Sequence, residues 1–425
     1  MPRSLIASPP HRLAIAAAIG NALEAFDFAI YGYFANDIGK LFFPHTDPSL
    51  RLVASFAVFA VGYLIRPLGG LLLGGVGDLV GRRTMLMLSM VLMGASSVMI
   101  GLLPSYASWG ASAAYALLLL RMLQGLSFGA EFSGSMTLVA ESVQRQRRGF
   151  QTAIAAAGGS TGFATGAVVA AVIYNTLSSE AVLQWGWRLP FLMGAAVALL
   201  GFWLRSIALP PPAPDQAGAA PASGPAELLR SLWPQRRVFL RVVSIIAFPT
   251  VTFYLVVVGL LQVAISRSPQ AAGALTGGTA INEAVALAVV LLGGLLSDRY
   301  GARRCLRFAT LALALLVAPA FLLMQQSAHL AVTLGQLLVL LPQRVIFGAY
   351  ASILPLQFPA AVRCTGSSLA HGLVAAVLSG TAPLLASWMV LHQGWSWGPA
   401  FLALALFPGC FWAVGNLREQ HPSAP

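Results

Sequence analysis

Seven ionisable side chains, Glu24, Asp27, Arg66, Arg121, Glu131, Glu283 and Arg344, stand inside stretches that are otherwise almost wholly apolar. Each would cost roughly 2.5–3.5 kcal/mol at the centre of an isolated membrane helix on insertion scales. Such groups are expected to face a bundle interior or a wet cavity. There they bind a charged solute, pass a proton, or lock two helices as a structural ion pair. An arginine fork meets a carboxylate through two parallel hydrogen bonds. A carboxylate whose arginine partner is taken by a substrate anion changes its proton affinity, which links the two binding events.

Spacing and depth assign candidates to these roles. On the fourth apolar stretch Arg121, Gln124, Phe128, Glu131 and Ser135 share one stripe at helical intervals. Asp27 lies about 21 Å into the first stretch, and Arg121 roughly 14 Å into the fourth from the other side, at 1.5 Å per residue. Both are then near the middle of a core about 30 Å thick. Arg121 is expected to meet Asp27 or Glu24, and Arg66 to pair with Glu131. Asp27 is the first-choice proton carrier, followed by Glu24 and Glu131, with Arg121 as their partner. Arg344, near the middle of the tenth stretch, is the candidate to grip an anionic substrate from the second half; a structural bridge to Glu283 is the alternative. Gln124, Tyr31, Thr252 and Tyr254 are further candidates for substrate contact, the last two because they follow Pro249, which frees a backbone carbonyl beside a cavity. Ordinary packing is equally open for Tyr31, Thr252 and Tyr254. His371, Gln336 and Gln343 line the second half or bond neighbouring helices, and Gly158, Gly162 and Gly166 form a small-residue packing face.

Long apolar elements must position these groups. Of 425 residues, 58% are hydrophobic and 9% charged, against about 25% charged in a soluble domain. Runs long enough to cross a bilayer fall at 13–35, 52–73, 85–103, 112–140, 150–174, 188–205, 238–265, 276–296, 305–325, 330–355, 367–390 and 397–416. The first run contains Glu24 and Asp27 and lacks a small-residue cleavage site, so it reads as a span and not as a signal peptide. A Pro/Ala/Gly-rich linker divides the chain into 1–208, 209–237 and 238–425, six spans on each side. GGVGDLVGRR (74–83) has a weaker copy in GGLLSDRYGARR (293–304), with Asp78 on Asp298 and Arg83 on Arg303. The fold expected is an all-α polytopic membrane protein of 12 transmembrane helices in two pseudo-symmetric six-helix bundles.

The net charge of +12 invites a nucleic-acid reading until the charges are located. With both termini in the cytoplasm, the outer loops hold only Lys40, Arg51, Arg188 and Arg267, and the spans Arg66, Arg121 and Arg344; the remaining 18 of 25 basic residues are cytoplasmic. The basic excess is therefore membrane topology and implies no nucleic-acid partner. The six His are scattered, the three Cys lie far apart, and no metal spacing, nucleophile elbow or phosphate loop is present, so no enzyme, cofactor or metal site is expected.

The paired signature loops resemble those of the major facilitator superfamily, over essentially the whole chain. GNALEAFDFAIYG (20–32), RMLQGLSFGAEFSG (121–134) and FPAAVRCTGSSL (358–369) are similar to its metabolite–proton symporter family, and FDF with TVTFY (250–254) looks most like the citrate and tricarballylate branch. The resemblance implies proton-coupled symport of a small organic anion across the bacterial inner membrane, powered by the proton gradient. A carrier of a zwitterionic osmolyte of the betaine or proline kind is the alternative, and a non-transporting membrane sensor the reading from another class. It also implies a charge cluster of Asp78, Arg82, Arg83 and Glu141, with Asp298 and Arg303 in the second copy, that gates the cytoplasmic end. Two departures stand out. Leu356 replaces an acidic residue of the family, and AGGSTGFATGAVVAA (157–171) lacks the Pro of antiporters, which favours symport or uniport.

Overall fold

A computed structural model describes residues 10–70, 72–73, 82–128, 131–194, 199, 232–326, 328–359 and 363–417. Helices form throughout, because a backbone in lipid must satisfy its hydrogen bonds within its own segment. The first half contributes α1 (Leu13–Tyr33), α2 (Leu50–Gly70), α3 (Met87–Leu102), α4 (Ala111–Phe128, resuming as Glu131–Ser142), α5 (Arg145–Thr176) and the described start of α6 at 188–194. The second contributes α7 (Trp233–Arg267), α8 (Pro269–Tyr300), α9 (Ala302–Met324), α10 (His329–Tyr350), α11 (Gly366–His392) and α12 (Gly398–Gly415). Ten of these are long and apolar enough to span a bilayer, and α3 is a shorter apolar helix. Exposed Leu119, Leu292, Leu315 and Phe401 give the surface a lipid-compatible face.

Two crossings set the geometry. α5 packs along α1 within the first half and along α8 across the seam between halves. Gly158 and Gly162 permit the first contact: a Cβ on Gly162 would stand 2.7 Å from both the Cβ of Ala25 and the backbone nitrogen of Phe26. The expected small-residue face of α5 is therefore a backbone-to-backbone contact. α2 also meets α11 across the seam. In α7 the ring of Pro249 denies the helix one donor, and a widened π-type stretch follows at Tyr254–Leu260. The turn between α8 and α9 bends at Gly301 with φ of 91°, a conformation that costs a glycine little.

Candidate functional site

A cavity of about 160 Å³ lies between the halves. From the first half it is lined by Asn21, Glu24 and Phe28 of α1, Tyr63 and Arg66 of α2, Phe128 of α4 and Phe163 of α5. Thr250 and Tyr254 of α7, Phe347 and Tyr350 of α10 and His371 and Ser379 of α11 close it from the second. Helical repeats explain the grouping: Asn21, Glu24 and Phe28 follow one face of α1, and Tyr63 and Arg66 one face of α2. Among the described residues the cavity has one guanidinium and one carboxylate. These face each other, Arg66 Nη1 standing 3.8 Å from Glu24 Oε1, with side chains 15% and 10% exposed. The Arg66 guanidinium rests on aromatic faces, 3.9 Å from the centre of Tyr63, 4.3 Å from Phe28 and 4.9 Å from Phe128.

Asp27 and Arg121 stand behind this wall, outside the cavity lining. They do not touch directly. Arg121 Nη1 donates to Gln124 Oε1 at 2.6 Å, and Gln124 Nε2 donates to Asp27 Oδ2 at 2.6 Å. The Ser97 hydroxyl donates to the other Asp27 oxygen. Arg121 is fully buried beneath Phe28 and Tyr31, at 4.5 and 4.4 Å, and its Nε and Nη2 have no hydrogen-bond partner. Tyr31 is packed rather than cavity-lining, its hydroxyl donating to the Ser55 carbonyl at 3.0 Å.

Arg344 is engaged by Glu283. Its Nη2 donates to both carboxylate oxygens, at 2.9 and 2.7 Å, with the two side chains 4% and 0% exposed and the Phe253 ring 4.6 Å away. Of the two expectations for Arg344, the structural bridge is the arrangement found. Thr252 is also turned from the cavity, donating back to the Phe248 carbonyl at 2.7 Å, whereas Tyr254 lines it. Gln336 bonds helices, accepting from Thr279 at 2.8 Å. Arg66 meets Glu24 where Glu131 was expected; the Glu131 side chain lies outside the described residues.

Both ends of the seam are fastened. At the arginine-rich end Arg363 Nη1 donates to Glu141 Oε1 at 2.8 Å. Asp298, at the end of α8, accepts the Gly149 and Phe150 amides at 2.6 and 2.9 Å, so it caps the start of α5 from the other half. Arg303 donates to the Gly415 carbonyl, tying α9 to α12. Asp78 and the side chains of Arg82 and Arg83 lie outside the described residues. At the opposite end Gln262 of α7 donates to the Tyr33 carbonyl at 2.8 Å, and Asn36 donates to Gln262 Oε1 at 2.8 Å. Beside it burial pushes the Asp37 carboxyl above the usual carboxylate range, against a 2.6 Å hydrogen bond from Tyr174. Tyr63 and Tyr254 join hydroxyl to hydroxyl at 2.7 Å. Among the described residues, contacts therefore cross the seam at both of its ends.

A charged cavity on the seam of two helical bundles, together with the family match that follows, is that of a secondary transporter and not of an enzyme. The chain belongs to the major facilitator superfamily, whose family model, described as Major Facilitator Superfamily, matches residues 17–380. It is similar to the proline/betaine transporter of Salmonella typhimurium (strain LT2), 34% identical over 390 residues that cover 88% of this chain and 77% of the relative. The glycine betaine/proline/ectoine/pipecolic acid transporter OusA of Dickeya dadantii (strain 3937) is 32% identical over 406 residues, 92% and 80% of the two chains. The xylose transporter XylE from E. coli, in a partially occluded inward open conformation, superposes with a TM-score of 0.70 at 18% identity over 95% of this chain and 96% of that one, which speaks for the fold alone. These relatives correct the expected citrate and tricarballylate branch toward the osmolyte alternative.

Proposed function

We propose that the chain is a proton-coupled symporter of a small zwitterionic osmolyte of the betaine or proline kind. The observation that carries this reading is the charge balance of the cavity: among the described residues, Arg66 and Glu24 stand 3.8 Å apart in its first-half wall. A zwitterion leaves such a site neutral, whereas a di- or tricarboxylate brings two or three charges to one guanidinium. The arginines expected to supply more positive charge do not line the cavity: Arg344 is engaged by Glu283, and Arg121 stands behind the wall, joined to Asp27 through Gln124. The names of the relatives support the same substrate class.

The coupling follows from an exchange of partners. A substrate carboxylate takes the Arg66 fork, which is the stronger geometry. Glu24 then loses the Arg66 charge, its proton affinity rises, and it accepts a proton from water entering the cavity. Substrate and proton therefore favour each other's binding and cross together. This makes Glu24 the first-choice proton site in place of Asp27, whose oxygens are both engaged behind the wall. The proposed orientation keeps both termini and the arginine-rich loops in the cytoplasm of a bacterial cell.

The test is uptake into proteoliposomes under an inward proton gradient, with labelled glycine betaine, proline, citrate and tricarballylate. Accumulation of betaine or proline but neither polycarboxylate is expected. Accumulation of citrate alone would restore the organic-acid reading.

A further inference from the structure

We propose that Asp37 is a proton-binding latch at the end of the seam that lies away from the arginine-rich loops. A proton on its carboxyl completes a chain of hydrogen bonds that reaches Gln262 of the other half and holds that end shut. Asp37 lies on the short helix Ala35–Phe42, which follows α1 and packs across the seam against the 261–267 end of α7. Tyr174 of α5 stands between two acceptors, its hydroxyl 2.6 Å from Asp37 Oδ2 and 3.1 Å from the Tyr33 carbonyl. That carbonyl also accepts from Gln262 Nε2 at 2.8 Å. Asn36, next to Asp37, donates to the Gln262 carbonyl at 2.9 Å and to its Oε1 at 2.8 Å.

A phenol has one hydrogen, so Tyr174 cannot serve both acceptors fully at once. When Asp37 is ionised the hydrogen goes to the carboxylate, the stronger acceptor, and the Tyr33 carbonyl loses it. When Asp37 is protonated, its own O–H donates to Tyr174 and the Tyr174 hydrogen turns to Tyr33. The two lone pairs of that carbonyl then hold α5 and α7 together. The protonated state also leaves no net charge on a carboxyl that is only 7% exposed.

The surroundings favour the proton. Burial raises Asp37 above the usual carboxylate range, against the opposing pull of Tyr174 and of Lys40, whose half-exposed ammonium is 3.7 Å from Oδ1. Other ionisable groups on the elements packed around it are turned elsewhere. Arg51 of α2 and Arg188 at the start of α6 donate to backbone carbonyls, and the Tyr33 hydroxyl donates to that of Phe163. Arg121 of α4 is joined to Gln124, Tyr106 packs edge-on against His45, and Tyr115 and Arg267 are exposed. Parting of the halves at this end admits water to Asp37, which then ionises; closure takes the proton back. Acid therefore favours the closed seam, and closure weakens as pH rises through the raised value. This proton enters and leaves on one side, so it is distinct from the one assigned to Glu24. The latch rests on the proposed function only for its orientation, which makes that side the cell exterior.

The test follows maleimide labelling of Val258→Cys in purified protein whose Cys305, Cys364 and Cys410 are replaced by alanine. Val258 is buried, and its Cγ1 would stand 3.0 Å from a Cβ built on Gly32 across the seam. Asp37→Asn, whose amide donates to Tyr174 at every pH, supplies the baseline for the thiol's own pH dependence. The parent rate, divided by the Asp37→Asn rate, is expected to rise about threefold or more between about pH 5 and about pH 8. The same pH profile in both proteins would overturn the latch. Should Asp37→Asn fail to fold, Lys40→Met serves instead. Removing the ammonium should move the midpoint to higher pH, and a midpoint left in place or moved lower would overturn the assignment to Asp37. No substrate enters the measurement, so either result leaves the osmolyte reading to its own uptake test.

Discussion

Arg66 and Arg344 differ in how firmly they are held, and that difference decides which can receive a substrate. Arg344 has both oxygens of Glu283 within 2.9 Å in a nearly solvent-free setting. Arg66 has a 3.8 Å approach to Glu24 at the edge of a cavity. A buried pair broken on one side leaves an uncompensated charge, which costs about 3–5 kcal/mol, whereas replacing both partners by apolar groups is often neutral. Glu283→Leu should therefore lower thermal stability in detergent severely, and the double variant Glu283→Leu/Arg344→Met should recover most of it. Equal stability of the single variant and the parent would show that the bridge is not structural. The midplane pairing of Arg121 was only partly legible in the sequence. Depth along the helices placed Arg121 and Asp27 at one level, but Gln124, a turn away on the same stripe, can both accept from the guanidinium and donate to the carboxylate, and it stands between them.

Helix positions were readable because a bilayer imposes one length and one composition on each span. Twelve runs were expected; ten long helices, the shorter α3 and the described start of α6 answer to them. What apolar runs do not encode is rotation about each helix axis and the choice of lateral neighbour. Level along the helices therefore did not single out Glu24, which α1 brings to Arg66, and the pairing expected with Glu131 lies outside the described residues. The ring-lined wall was missed for the same reason: Phe28, Tyr63 and Tyr350 read as ordinary apolar positions, and only their shared helical faces with Glu24, Arg66 and Phe347 hinted otherwise. Glycine spacing carried more information. Since Gly162 leaves no room for a Cβ beside Ala25 and Phe26, Gly162→Leu should prevent α1 from seating on α5. The expected result is loss of folded protein on size-exclusion chromatography, while Gly409→Leu, where a Cβ meets open space, should behave as the parent.

At the scale of the whole molecule, contacts among the described residues fasten the seam between halves at two levels, with the cavity between them. Alternating access requires that one set of fastenings open while the other holds. Asp298 joins the halves through the first amides of α5, and Arg363 through Glu141. The second signature loop was legible from its repeat, and its gating role is what the family resemblance implies; the partner of Asp298 was not legible, because backbone amides carry no sequence signal. Asp298→Ala together with Glu141→Gln should shift the population toward opening at the arginine-rich end, seen as faster labelling of a cysteine placed at Ser352, which is buried beside Ser297 near that end of the seam. Unchanged labelling would mean that these contacts do not hold the closed state. The central claim, that a zwitterion displaces Glu24 from Arg66 and so loads a proton, is tested most directly by following external pH as betaine enters proteoliposomes with no imposed gradient. The account predicts alkalinisation in step with betaine entry for the parent, and betaine counterflow without proton movement for Glu24→Gln. Betaine entry with no pH change in the parent, or undiminished proton movement in Glu24→Gln, would contradict it.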